Sequence, residues 1–235
     1  MNTSPVRYEQ TGAIALLTMD DGKANALSRE LMDALEQAFD RAEREASAVV
    51  LAGRPGRFCA GFDLKQMMAG ADQARALVTR GAEFLLKLYA FPLPLVVACT
   101  GHALAGGALV VLTGDVRIGA AGAFRVGLNE VQIGMPLPIL AMELARDRLH
   151  REHLTAATLF ATISDPEAAR AMGWFDEVVE DTRVHAAATE HAQRLAGLPR
   201  GAYAKTKMAL RERTIGYIRE TLAADMARLT PPQGA

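Results

Sequence analysis

Apolar and polar residues follow two patterns along the chain, one typical of strands and one typical of helices. Short apolar runs rich in β-branched residues predict buried strands, at residues 13–19, 48–52 and 95–99. Residues 6–9 and the first of these strands flank a turn at 11–12 and predict a β-hairpin. Apolar residues at helical spacing predict one helix after an N-cap at Ser28, reaching about Glu45, and another at 72–90. Strands that alternate with helices favour an α/β fold with a largely parallel sheet.

A glycine-rich turn in the stretch 100–115 is predicted to lead from the third strand into an apolar helix. Gly101, Gly106 and Gly107 leave the backbone bare there, and the first N–H groups of a helix have no internal partner. These N–H groups and the helix dipole attract a negative oxygen, so the turn could hold a phosphate, a carboxylate or an oxyanion. The alternative is that the glycines only allow close helix packing. A second glycine-containing strand end precedes a second helix start, at Gly61.

The last third of the chain is predicted to be mainly helical. Residues 164–167 read Ser-Asp-Pro-Glu, which predicts a capping box with proline in the first turn, and Gly173 ends that helix. A last strand is predicted at 175–179 before two or three further helices. We find no linker or change in composition, which predicts one domain. Within it we expect a core at 1–185 and a C-terminal helical extension at 186–235.

Composition and charge narrow the classes of function. The chain has 235 residues, half of them hydrophobic, which is enough for one large core. With 26 basic and 27 acidic residues intermixed, nucleic acid is not an expected partner. Neither a membrane span nor a secretion signal is recognised, so a cytoplasmic protein is expected. Cys59 and Cys99 lie in apolar contexts and suit a reducing compartment, and no motif predicts a metal site.

Several segments, taken together and in order, resemble the crotonase family, the enoyl-CoA hydratase/isomerase superfamily. They are residues 58–64 (FCAGFDL), 101–107 (GHALAGG), 115–118 (DVRI), 127–130 (GLNE), 165–173 (DPEAARAMG) and 202–207 (AYAKTK). The resemblance implies a spiral of ββα repeats, a homotrimer or dimer of trimers, and a CoA thioester as substrate. It implies no cofactor beyond the coenzyme A that the substrate carries.

The resemblance also implies which residues form the site. The backbone N–H groups of Phe62 and Gly106 match the oxyanion hole of the family, and both lie at the glycine-containing helix starts described above. Such a pair of donors stabilises the enolate that forms when a proton leaves the carbon next to a thioester carbonyl. The positions expected to contact coenzyme A are Lys23, Ala24, Ala26, Ala60, Asp63, Leu64, Leu104, Gly107 and Leu109. For Asp63, capping of the helix that follows is the favoured interpretation.

The resemblance also bears on the type of reaction. Hydratases of the family use two glutamates around a water, and the matching positions here are Leu109 and Glu130. One carboxylate beside an oxyanion hole suits a proton shuttle, as in a Δ3,Δ2-enoyl-CoA isomerase. An apolar pocket with Leu109, Val131 and Met135 as walls would raise the pKa of Glu130. The alternatives are an enoyl-CoA hydratase or other crotonase enzyme, and a non-catalytic acyl-CoA-binding protein. For Glu130 alone, the alternative is an acid that stabilises a helix N-terminus.

Overall fold

The computed structural model describes residues 4–229. In chain order its strands are β1 (Val6–Thr11), β2 (Ile14–Met19), β3 (Ala48–Gly53), β4 (Gly56–Cys59), β5 (Leu95–Cys99), β6 (Gly101–Leu104), β7 (Val116–Ala120), β8 (Val126–Gly127) and β9 (Glu177–Val179). Its helices are α1 (Arg29–Glu45), α2 (Leu64–Met67), α3 (Ala71–Tyr89), α4 (Gly106–Thr113), α5 (Ile139–Arg148), α6 (Leu154–Thr158), α7 (Pro166–Met172), α8 (Val184–Ala196) and α9 (Arg200–Ala227).

The strands form two sheets. The larger has the order β1-β2-β3-β5-β7-β9, parallel throughout except for the β1–β2 hairpin. The smaller has the order β4-β6-β8 and is parallel. From β3 to α5 the chain therefore repeats a ββα unit, with its first strand in the large sheet and its second in the small sheet. This confirms the crotonase-like α/β fold that the resemblance implied.

Local sequence accounts for helices α1 and α3. Helix α1 packs on β1 and β2 of the large sheet, and α3 packs against α1, α2, α4 and α9. The Ser28 hydroxyl accepts a hydrogen bond from the Leu31 N–H at 3.2 Å, so the predicted N-cap of α1 is confirmed. Helix α1 buries an apolar stripe, which includes Leu35 and Phe39. The predicted stripe of α3 is also buried, and includes Leu77, Val78, Gly81, Leu85 and Leu88.

The small sheet was not predicted, and the segment read as a glycine turn contains one of its strands. Strands β4, β6 and β8 have only two to four residues, too few for an alternating pattern to stand out. The predicted cap of α7 was wrong by one residue. Asp165, not Ser164, caps this helix, because its carboxylate accepts from the Ala168 N–H at 2.9 Å. Gly173 ends the helix with a left-handed φ of 91°, as predicted.

Helices α8 and α9 cover different parts of the molecule. Helix α8 packs against β3, β5 and β7 through Val184, Ala187, Ala188 and Ala192. The predicted boundary after residue 185 falls inside this helix, and the division into core and extension stays a prediction. Residues 230–235 of the predicted extension lie outside the described part of the chain. Helix α9 packs against α5 and α3. Within residues 4–229, no helix is both long and apolar enough to cross a membrane.

Candidate active site

Three neighbouring strands of the small sheet end next to the three candidate catalytic residues. Phe62 lies three residues beyond β4, Gly106 lies two beyond β6, and Glu130 lies three beyond β8. Because parallel strands place their carboxyl ends at one edge of a sheet, the order β4-β6-β8 puts Gly106 between the other two. The second sheet, which sequence reasoning missed, is thus the element that brings the predicted residues together.

The Phe62 and Gly106 N–H groups have no hydrogen-bond partner within the described part of the chain. Leu27 pairs with the residues on either side of Phe62: it donates to the Gly61 carbonyl at 2.8 Å and accepts from the Asp63 N–H at 3.3 Å. This pairing leaves the Phe62 N–H free. Gly106 is the first residue of α4, where a helix offers unpaired donors. Unpaired backbone donors are rare in protein interiors, which favours a ligand oxygen at this point.

Gly61 allows the two donors to approach each other. Its φ is +93°, and a Cβ built there would lie 3.3 Å from the Gly106 nitrogen and 2.9 Å from the Leu104 carbonyl oxygen. A side chain at position 61 would therefore collide with the start of α4. Ala105, the N-cap of α4, adopts φ 50° and ψ −124°, a strained conformation for a residue with a Cβ. This conformation of Ala105 turns the chain sharply from β6 into α4, the helix that begins at Gly106.

The two interpretations of the glycine turn apply to two different glycines. A Cβ on Gly107 would lie 2.1 Å from the Cys59 carbonyl oxygen, so this glycine is required for the close packing of α4 on β4. A Cβ on Gly106 would instead face the Leu27 side chain at 3.0 Å and the ring of Phe62 at 3.2 Å. Packing explains Gly107, and the free N–H singles out Gly106.

Glu130 is a buried carboxyl group. It is 8% exposed, and its Oε2 atom has no hydrogen-bond partner among the described residues. Burial raises the pKa of Glu130 to about 7. Two of the expected pocket walls, Leu109 and Met135, are themselves buried, and Val131 is 42% exposed. That these three side chains line one pocket around Glu130 stays a prediction.

The residues expected to contact coenzyme A do not all share one environment. Ala24, Ala26 and Ala60 lie along a seam of two segments, where the Ala60 N–H donates to the Ala24 carbonyl at 3.1 Å. Ala60 and Leu64 are exposed, and Lys23 and Leu104 are at least partly exposed, whereas Gly107 and Leu109 are buried in α4. The Asp63 carboxylate accepts from the Gln66 N–H at 2.8 Å and caps α2, the interpretation favoured from the sequence.

Asn25 supports this seam, and sequence reasoning did not single it out. It is fully buried with a left-handed φ of 52°. Its side-chain amide donates to the carbonyls of Met19, Arg57 and Phe58 at 3.0 to 3.2 Å, which ties the loop to β2 and β4. The only signal in the sequence is that asparagine tolerates this conformation better than most residues.

Two other polar residues, His102 and Asp115, make hydrogen bonds that hold neighbouring segments of the fold together. The His102 Nδ1 atom accepts from the Arg125 N–H at 3.1 Å, and its ring packs edge-on against Phe124. Burial, with Arg57 and Arg125 nearby, lowers the pKa of His102. The Asp115 carboxylate accepts from the Leu95 N–H at 2.8 Å and from Lys207 at 2.7 Å, and pairs with Arg211 at 3.0 Å. Asp115 thus joins the end of α4 to β5 and α9.

Sequence and fold comparisons agree with this geometry. Residues 9–231 match the family model described as enoyl-CoA hydratase/isomerase. Enoyl-CoA delta isomerase 1, mitochondrial, from Rattus norvegicus is 28% identical over 230 residues, which cover 96% of this chain and 80% of that protein. A probable enoyl-CoA hydratase from Rhodobacter capsulatus is 32% identical over 212 residues, covering 89% and 82%. A solved enoyl-CoA hydratase/isomerase family protein from Pseudomonas syringae has a TM-score of 0.94 at 37% identity, covering 96% and 98%. The chain therefore belongs to the enoyl-CoA hydratase/isomerase family, within the crotonase superfamily.

Proposed function

We propose that this protein is a Δ3,Δ2-enoyl-CoA isomerase that moves a double bond by a proton shuttle through Glu130. The observation that carries the proposal is the buried Glu130 carboxyl group after β8, at the same edge of the small sheet as two N–H donors that have no partner among the described residues. A carboxyl with a pKa of about 7 can accept a proton and return it near neutral pH. The likeness to the rat isomerase supports this choice within the family.

The proposed reaction begins with the thioester carbonyl oxygen at the Phe62 and Gly106 N–H groups. The Glu130 carboxylate removes a proton from the α-carbon of a 3-enoyl thioester, and the electrons move to the carbonyl oxygen as an enolate. Each preorganised donor lowers the barrier by about 3 kcal/mol. When the enolate collapses, the same carboxyl group returns the proton to the γ-carbon, which leaves the 2-enoyl thioester. No atom is gained or lost.

Hydration is the alternative reaction on this fold, and the relative from Rhodobacter capsulatus carries that name. Adding water to a double bond needs a group that positions the water as well as one that transfers a proton. Leu109 is an apolar, buried residue at the position matching the second glutamate. Its side chain can neither hydrogen-bond nor polarise a water, which favours isomerisation over hydration.

The test is a comparison of two substrates. Purified protein is given trans-3-hexenoyl-CoA or crotonyl-CoA, and the products are separated by chromatography. We expect the 3-enoyl thioester to become the 2-enoyl thioester, with little 3-hydroxyacyl product from either substrate. Glu130→Gln should lower the isomerisation rate by about 100- to 10,000-fold, because it removes the proton acceptor but keeps the shape of the side chain. The kcat/KM of the wild type should rise with pH up to about 7, since the base must be deprotonated.

The other outcomes point to the alternatives. Rapid hydration of crotonyl-CoA would contradict the proposal and favour a hydratase in which another group holds the water. Acyl-CoA binding without turnover of either substrate would favour another crotonase reaction or a non-catalytic binder. Undiminished isomerisation by Glu130→Gln would exclude Glu130 as the base.

A further inference from the structure

The side chain of Phe62 fills a slot between two helices directly beside the proposed oxyanion hole. A Cβ built on Gly81 of α3 would lie 2.2 Å from Cε1 of the ring, and one on Gly106 of α4 would lie 3.2 Å from Cε2. Opposite edges of the ring therefore rest on the bare backbone of two different helices. The ring is partly buried and packs against the main hydrophobic core.

The surroundings of this slot are apolar. Leu27 is fully buried, and its Cδ1 atom would lie 3.0 Å from the same Cβ built on Gly106. Leu77 and Val78, one helical turn before Gly81 in α3, are buried as well. Apolar walls favour methylene groups over water in such a slot once it is emptied. It would accept methylene groups rather than polar atoms.

We propose that the Phe62 ring closes the acyl pocket and limits the length of acyl chain that this protein accepts. The inference rests on the proposed function, in which the Phe62 N–H holds the thioester oxygen. A carbonyl bound to that N–H places the first carbons of the acyl chain within a few ångströms of the same residue's side chain. The ring occupies the apolar space that a longer chain would need.

Binding of saturated acyl-CoA esters tests the inference without relying on turnover. Dissociation constants of butyryl-, hexanoyl-, octanoyl- and decanoyl-CoA are measured by calorimetry for the wild type and for Phe62→Ala. We expect the wild-type affinity to stop rising at a short chain. In Phe62→Ala it should continue to rise, by about fourfold for each additional methylene group that enters the vacated slot. Parallel chain-length curves for the two proteins would overturn the inference.

Gly81 provides a second, independent variant. In Gly81→Ala the new methyl group meets the ring and must displace it, so the affinity for acyl-CoA esters should fall. In the Phe62→Ala background the same change meets no ring and should have little effect on binding of butyryl-CoA. Strong non-additivity in this double-mutant cycle is expected for a ring that borders the acyl chain. Additive effects on binding would contradict the inference.

The outcomes for the two proposals can be told apart. Wild-type isomerisation of trans-3-hexenoyl-CoA is measured in parallel. A shifted chain-length preference without isomerisation would refute the isomerase and retain the pocket limit. Isomerisation with an unshifted preference in Phe62→Ala, or in the milder Phe62→Leu, would retain the isomerase and refute the limit.

Discussion

At the scale of single residues, the burial that suits Glu130 to proton transfer also opposes folding. An exposed glutamate has a pKa near 4.5, whereas burial raises that of Glu130 to about 7. Between these values the folded protein binds more protons than the unfolded chain. The contribution of Glu130 to the free energy of unfolding is therefore fully present below the unfolded pKa. It is lost as the pH rises through the folded pKa. A carboxyl group that is buried despite this loss of stability is expected at a functional site.

The stability of Glu130→Gln should reveal this effect. Glutamine does not ionise, so the variant should gain stability relative to the wild type as the pH is raised. Between pH 5 and pH 8 we expect a relative gain of about 2–3 kcal/mol in the free energy of unfolding. Urea unfolding at several pH values measures it, with Glu152→Gln, a change at an exposed residue, as the control. Parallel curves for Glu130→Gln and the wild type would show that Glu130 ionises as freely in the folded state as in the unfolded chain.

At the scale of elements, the sequence alone predicted the strands and helices that have a clear hydrophobic period or a capping side chain. The β-hairpin, α1 and α3 were predicted, because each has an apolar face or a capping side chain within one continuous segment. The small sheet was missed, since β8 has only Val126 and Gly127 and its pairing depends on β6, over twenty residues away. Phe62 and Gly106 could be named from the family resemblance, but their convergence depends on that sheet. The burial of Glu130 likewise depends on distant residues.

Close packing of α4 on β4 can be tested with two glycines, one in a crowded position and one in an open position. In Gly107→Ala the new methyl group would lie 2.1 Å from the Cys59 carbonyl oxygen, a backbone atom that cannot move aside locally. We expect a loss of about 3 kcal/mol in the free energy of unfolding. Gly216 lies in α9, and a Cβ built there would have no atom within 4 Å, so Gly216→Ala should gain about 0.5–1 kcal/mol. Equal effects of the two substitutions in urea unfolding would contradict the packing argument.

At the scale of the whole molecule, both sheets contribute to one hydrophobic core. Cys59 at the end of β4 and Cys99 at the end of β5 belong to the same cluster of buried residues. The site at the edge of the small sheet thus depends on the packing of the large one. Assembly into a homotrimer or a dimer of trimers, which the resemblance implies, stays a prediction.

The two cysteines can report whether the sheets open together. Both thiols are buried, and burial raises the pKa of each to about 12, so alkylation requires an opening of the structure. Because they share one core, we expect both to be protected in native buffer at pH 8. With increasing urea they should become labelled by iodoacetamide at similar rates, measured on separate peptides by mass spectrometry. Full denaturant is the control for complete labelling. Selective labelling of Cys59 at low urea would mean that the small sheet, and the candidate active site with it, opens while the large sheet stays folded.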